Sequence, residues 1–279
     1  MSLNTRIYRI PHTPGAEPHP DDGKASHGYI TSIIEHAIAN QPRSLQTMIG
    51  PSEIGMECDH CLAARLAGWT KHGHDTPWLP FIGTAVHEKL ERIFQAHNHA
   101  NPPQEDGVDT PEFFTEQKVT VGKIGGQPIT GSTDLYRTHM RGPGTCGMTV
   151  DWKIVGDTTL RKVKATGQPS MRYQVQAHLY ARGWNMAGYP TSHVAVYFMP
   201  RNRMTLNDGY WWTAEYDENI AHAALERANS IYTSLTMIEK HAGTAARDTW
   251  ITNLPRDANC YDCPRYPDYP TNLNTLLTP

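Results

Sequence analysis

The sequence contains no uninterrupted apolar run of about 18 residues, the length a membrane-spanning helix needs, so no span is expected. Its N-terminus lacks a charged start followed by an apolar stretch, so a secretory signal is not expected either, and the reading is an intracellular protein. Positive charge is also lacking. With 25 Lys and Arg against 28 Asp and Glu the formal charge is -3, which excludes a global basic footprint and leaves any nucleic-acid site as a local patch. No helicase motif is present, so the chain does not unwind DNA by itself. Cysteine is scarce, yet four of the five fall as Cys58-x-x-Cys61 and Cys260-x-x-Cys263. In a reducing compartment such paired spacings suggest a metal rather than a disulfide. Cys146 stands alone and reads as an ordinary thiol.

At 279 residues the chain is long enough for one sizeable α/β domain with appendages. Residues 1–26, rich in Pro, His, Gly and Asp, read as an extended arm; residues 27–79 as a helical segment with the first cysteine pair; residues 80–241 as the core; residues 242–279 as a tail with the second pair. Apolar spacing predicts helices over His27–Asn40, from Pro51 to Gly68 with a break at the cysteines, from Phe81 to about His99, over Ser170–Gly188, and from an Asp217 N-cap to about His241. Alternation predicts strands at Phe113–Val121, Pro128–Arg137, Thr149–Val155, His193–Met199 and Tyr210–Tyr216, the first two joined by a glycine-bearing turn over Gly122–Gln127.

Two of these strands carry the chemistry. One carries Asp134 toward its end, and the other reads Asp151-Trp152-Lys153. Because strand side chains alternate, Asp151 and Lys153 share one face while Val150, Trp152 and Ile154 share the other. An acid and a base side by side among apolar residues are costly to bury unless a metal or a reacting anion lies between them. Carboxylate oxygens suit Mg²⁺ or Mn²⁺, and a lysine beside them can orient a water or stabilise developing charge. On the Phe81–His99 helix, His87 is a candidate ligand, and the small residues Gly83, Thr84 and Ala85 before it suggest close approach to a sheet. On the Ser170–Gly188 helix, Gln176 and Tyr180 lie four apart on one face, with Arg172 beside them. Arg161, Lys162 and Lys164 form the strongest local basic patch. Trp211 and Trp212 read as core residues, with base stacking as the alternative.

The ordered set of His87, Asp134, Asp151-x-Lys153 and Gln176-x-x-x-Tyr180 resembles the RecB-type branch of the PD-(D/E)xK nucleases, in particular the CRISPR-associated adaptation exonucleases and their phage relatives, over roughly residues 50–265. The resemblance implies a restriction-endonuclease-like α/β core, a mixed central sheet flanked by helices. It implies that His87, Asp134 and Asp151 bind Mg²⁺ or Mn²⁺, with the Trp152 carbonyl as a further ligand, and that Lys153 positions or activates water. Gln176 and Tyr180 would then contact DNA near the scissile phosphate, the basic residues Arg161, Lys162, Lys164 and Arg172 would bind its backbone, and Glu116 would be an accessory acid. A histidine in the shell favours Mn²⁺.

Several nucleases of this kind tie their C-terminal tail back through a 4Fe-4S cluster. Here the cysteines divide two and two, as Cys58 and Cys61 with Cys260 and Cys263, where the commoner pattern has one and three. Four thiolates suit Zn²⁺ as well, and the resemblance favours the cluster. The implied activity is a metal-dependent DNA exonuclease in recombination, repair or phage DNA metabolism, working in bacterial or phage-infected host cytoplasm. A structure-specific endonuclease and a non-catalytic DNA-binding or assembly subunit are the alternatives. A homo-oligomer or a recombination partner protein is compatible with the residues, which do not specify either.

Overall fold

The computed structural model describes residues 24–40, 49–72, 78–102, 110–138, 146–257 and 260–267. The chain divides into two units, Met1–Leu45 and Gln46–Pro279. Nearly all of the expected N-terminal arm and the end of the tail lie outside the described residues. The first unit contributes helix α1 (Lys24–Ala39), the expected amphipathic helix begun three residues earlier.

The second unit is built on a five-stranded sheet in the order β1 (Phe113–Ile124), β2 (Gln127–Arg137), β3 (Gly147–Val155), β4 (Thr191–Pro200), β5 (Tyr210–Glu215). Its pairs are antiparallel except β3 with β4, which are parallel. A parallel pair needs a long crossover, supplied here by α5 (Asp157–Thr166) and α6 (Met171–Met186). Residues 158–164 are therefore helical, stopped by Gly167 in the left-handed region with φ 67. The hairpin turn is tighter than the sequence suggested. It is confined to Gly125 and Gly126, both at positive φ, while Gly122 lies within β1 where an added Cβ would strike Leu225.

One face of the sheet carries the main apolar cluster. It joins Val119, Val121 and Tyr136 to α6, to α2 (Pro51–Ile54), to α3 (Asp59–Leu66) and to the long α7 (Glu218–Thr252). Asp217 caps α7 by accepting the Asn219 amide at 2.8 Å, and Gly243 interrupts its helical backbone with φ 84. The other face packs Leu135, Val150 and Trp152 against Leu90 and Phe94 of α4 (Trp78–Ala100). Phe94 stacks on Trp152 with ring centroids 5.9 Å apart. No residue of α4 is buried, and an added Cβ at Gly83 would meet nothing within 4 Å, so the small residues there do not serve a close approach to the sheet. Trp212 is core, whereas Trp211 is exposed beside Tyr197. Among the described residues no helix is long and apolar enough to cross a membrane.

Candidate active site and metal centre

The β2–β3 ladder consists of three pairs and ends at Leu135 opposite Val150. Beyond it the strands separate, and a side chain takes over from the backbone: Asp134 Oδ2 accepts the Trp152 amide at 2.7 Å. The N–H and C=O of one extended residue point to the same side, so the Trp152 carbonyl lies along this edge too. Asp134 Oδ1 lies 3.2 Å from His87 Nδ1, which α4 brings over the gap.

Glu116 is the third member. Thr115 pairs with Leu135 and Gln117 with Thr133, and Glu116 falls between them outside the ladder, across from Asp134. With φ 49 it is, among the described residues, the non-glycine residue at positive φ, a conformation that costs energy for an L side chain. Its carboxylate Oε1 stands 3.9 Å from His87 Nδ1. One ligand atom from each of His87, Glu116 and Asp134 lies within 4.8 Å of the others, a grouping that could hold a metal ion.

A second cluster adjoins the first on β3 and α6. Asp151 is 4% exposed, and its Oδ1 accepts from Gln176 Nε2 at 2.8 Å. Lys153 Nζ donates to Gln176 Oε1 at 3.1 Å and lies 2.5 Å from Asp151 Oδ2. Oδ2 is thus paired with the Lys153 ammonium, inside the protein and away from water. Gln176 thus spans acid and base. Lys153 also lies 5.1 Å from the ring centroid of Tyr173, one helical turn before Gln176. Burial pushes the Asp151 carboxyl up to about 6 against the pull of Lys153, and the charge of Asp134 adds to the rise. Burial disfavours the His87 cation, but the hydrogen bond and charge of Asp134 outweigh it and hold the imidazole above its ordinary value.

The remaining candidates are placed differently. Tyr180 belongs to the main apolar cluster at 6% exposure, and a Cβ at Gly131 would come within 3.1 Å of its hydroxyl. Arg172 donates to the Ser52 carbonyl at 2.7 Å. Arg161 and Lys162 are exposed on α5, and Lys164 donates to the Asp208 carbonyl at 2.6 Å. Arg201, unnoticed in the sequence, comes to the start of α5 through the β3–β4 pairing, its amide bonded to the Val155 carbonyl at 2.8 Å. Tyr173 was likewise unassigned, although its helical spacing from Gln176 was a usable signal.

A separate cluster joins two segments about two hundred positions apart. Cys58 caps α3, Cys61 lies in its first turn, and Cys260 and Cys263 return beside them. Cys58 and Cys263 Sγ are 3.2 Å apart, Cys61 and Cys263 3.4 Å, and Cys61 and Cys260 3.5 Å. Burial raises the Cys61 thiol strongly and pushes Cys263 up to about 12. Cys58 is lowered: backbone hydrogen bonds outweigh the effect of its burial. His60, given no role from the sequence, is fully buried here with Nδ1 3.8 Å from both Cys61 and Cys263 Sγ. Cys58, His60, Cys61 and Cys263 form a buried group that could hold a metal.

No protein-family model matches the sequence, and no curated protein matches it. Among solved structures the chain is similar to SSO0001, at 14% identity over 75% of this chain and 88% of that one, with a TM-score of 0.45. It is also similar to an alkaline exonuclease, LHK-Exo, from Laribacter hongkongensis, at 12% identity over 70% of this chain and 91% of that one, with a TM-score of 0.39. The same exonuclease in complex with dAMP gives 15% identity, 72% and 94% coverage, and a TM-score of 0.39.

Proposed function

We propose that this chain is a metal-dependent DNA exonuclease that hydrolyses phosphodiester bonds. The observation that carries the reading is the meeting, where β2 and β3 part, of a His87–Glu116–Asp134 group with a buried Asp151–Lys153–Gln176 group, linked by the bond from the Trp152 amide to Asp134. A buried acid, next to two further carboxylates and an imidazole whose ligand atoms gather within 4.8 Å, is the donor chemistry of a Mg²⁺ or Mn²⁺ site. When bound, such a cation supplies charge to the phosphate oxygens and acidifies a neighbouring water.

The protein's own residues do the rest. His87, Glu116, Asp134 and Asp151 hold the cation, with the Trp152 carbonyl as a further donor. Lys153 holds a proton at Nζ beside the reacting phosphate and orients the attacking water. Gln176 keeps Lys153 and Asp151 at fixed separation, because one amide satisfies both. Arg161 and Lys162 are exposed on α5, and with Arg201 at its start they offer contacts to the backbone of DNA.

Asp151→Ala and Lys153→Ala are each expected to reduce Mn²⁺-dependent release of nucleotides from end-labelled DNA by about 100-fold or more while the circular dichroism spectrum is retained. Wild-type rates in either variant would remove the assignment.

At the cysteine cluster we infer a single tetrahedral Zn²⁺ in place of the 4Fe-4S cluster that the family resemblance favoured. With metal–sulfur bonds of about 2.3 Å, sulfurs across one tetrahedral ion stand about 3.8 Å apart. The Cys58–Cys263 and Cys61–Cys263 separations of 3.2 and 3.4 Å are close to that, whereas a cubane interposes several metal ions and holds its thiolates farther apart.

A further inference from the structure

The zinc site has one donor too many. Three buried thiols, a fourth at the margin and a buried imidazole surround it, and a tetrahedral ion takes four ligands. We propose that His60 Nδ1 is the fourth ligand, beside Cys58, Cys61 and Cys263, and that Cys260 is an uncoordinated outer thiol. The proposal rests on the single-ion reading given above.

Geometry comes first. With metal–sulfur and metal–nitrogen bonds of about 2.3 and 2.0–2.1 Å, a tetrahedron separates S from N by about 3.6 Å. His60 Nδ1 stands 3.8 Å from two of the three sulfurs. Ligand atoms of Cys58, His60, Cys61 and Cys263 all lie within 4.8 Å of one another and all four residues are buried; Cys260 Sγ is 3.5 Å from Cys61 but stands outside that group and is only half-buried.

The second argument is placement. His60 follows Cys58 and precedes Cys61 in the first turn of α3, so one helical turn delivers three donors. Its ring is held edge-on by Trp69 and by Tyr266, each with its centroid 6.0 Å away. Trp69 is in turn anchored through Nε1 to Asp248 at 3.0 Å. An imidazole so enclosed keeps its Nδ1 toward the sulfurs without loss of rotamer freedom on binding.

Charge is the third. Three thiolates and a neutral imidazole around Zn²⁺ leave one net negative charge, four thiolates leave two, and burying the second charge in an apolar cluster is costly.

The test compares Cys260→Ser, His60→Ala and His60→Cys in the full chain, by zinc content per chain and by the thiolate-to-metal charge-transfer absorption of the Co²⁺-substituted protein. The expected result is that Cys260→Ser keeps one zinc per chain and an unchanged charge-transfer band, that His60→Ala binds zinc at least about tenfold more weakly, and that His60→Cys binds it with a band strengthened by one further thiolate. Mass mapping after mild alkylation should find Cys260 modified in the zinc-loaded wild type, with Cys58, Cys61 and Cys263 protected. A band reduced by about a quarter in Cys260→Ser, or Cys260 protected from alkylation, would overturn the proposal while leaving zinc in place. Iron with inorganic sulfide, or no metal at all, in the wild type would instead overturn the single-ion reading beneath it.

Discussion

Asp151 and His87 give the candidate site its pH dependence. The carboxyl of Asp151 is raised from 3.8 to about 6 by burial, so the folded protein binds this proton more tightly than the unfolded chain does. The stability it contributes is present in acid and is lost as pH rises from about 4 to about 6. His87 is raised as well; its contribution is present below the ordinary value of 6.5 and is lost as pH rises through the folded value. A ligating cation has to displace both protons, so alkaline conditions favour it. The rise in Tm caused by Mn²⁺ should be larger at about pH 8 than at about pH 6. Thermal unfolding with and without Mn²⁺ at each pH checks this, and equal shifts would argue against both residues as ligands. Glu116 supplies a prediction of opposite signs. Glu116→Gly relieves the positive φ and should stabilise the metal-free fold by about 1 kcal/mol in denaturant titrations, while weakening Mn²⁺ binding. A loss of stability would show that the conformation there is unstrained.

The element most exposed to perturbation is α4, which carries His87 and buries none of its residues. Its attachment runs through Leu90 and Phe94, and the Phe94–Trp152 stack ties it directly to the strand of Asp151 and Lys153. Phe94→Ala should cost about 2 kcal/mol, less than a fully buried phenylalanine would. Hydrogen exchange should accelerate in α4 ahead of the sheet, and Mn²⁺ affinity should fall with it. Uniform acceleration over the whole fold would mean that α4 has no independent motion. Most elements here were legible from periodicity alone: alternation placed Asp151 and Lys153 together on one face, and Asp217 caps α7 as its side chain predicted. Residues 158–164 were not legible as a helix, because their few apolar positions, Leu160 and Val163, acquire a partner only when β4 and β5 lie beneath them.

At the scale of the molecule, the cysteine cluster closes a loop between Cys58 and Cys263, 205 positions apart. Cross-linking so long a loop restricts the unfolded chain by up to about 5 kcal/mol in the chain-entropy treatment. Cys58→Ser, or prolonged chelation, should therefore lower Tm and open the 260–267 segment to protease before the sheet is cut. Limited proteolysis followed by mass spectrometry checks the order of cleavage, and simultaneous cleavage throughout would indicate that the cluster holds the whole fold.

By itself the sequence determined the strand carrying Asp151 and Lys153, the helix carrying Gln176, the paired cysteines and the order in which they occur, because each is written in local period or spacing. Only the tertiary structure decided that Glu116 turns toward His87, that Tyr180 enters the apolar core, and that His60 stands among the thiols. Those positions depend on the register of β1 against β2, on the packing of α6 between sheet and α7, and on the return of a segment some two hundred residues away. Short-range pattern holds no record of such contacts; the burial of apolar surface brings these groups together only when the whole chain folds.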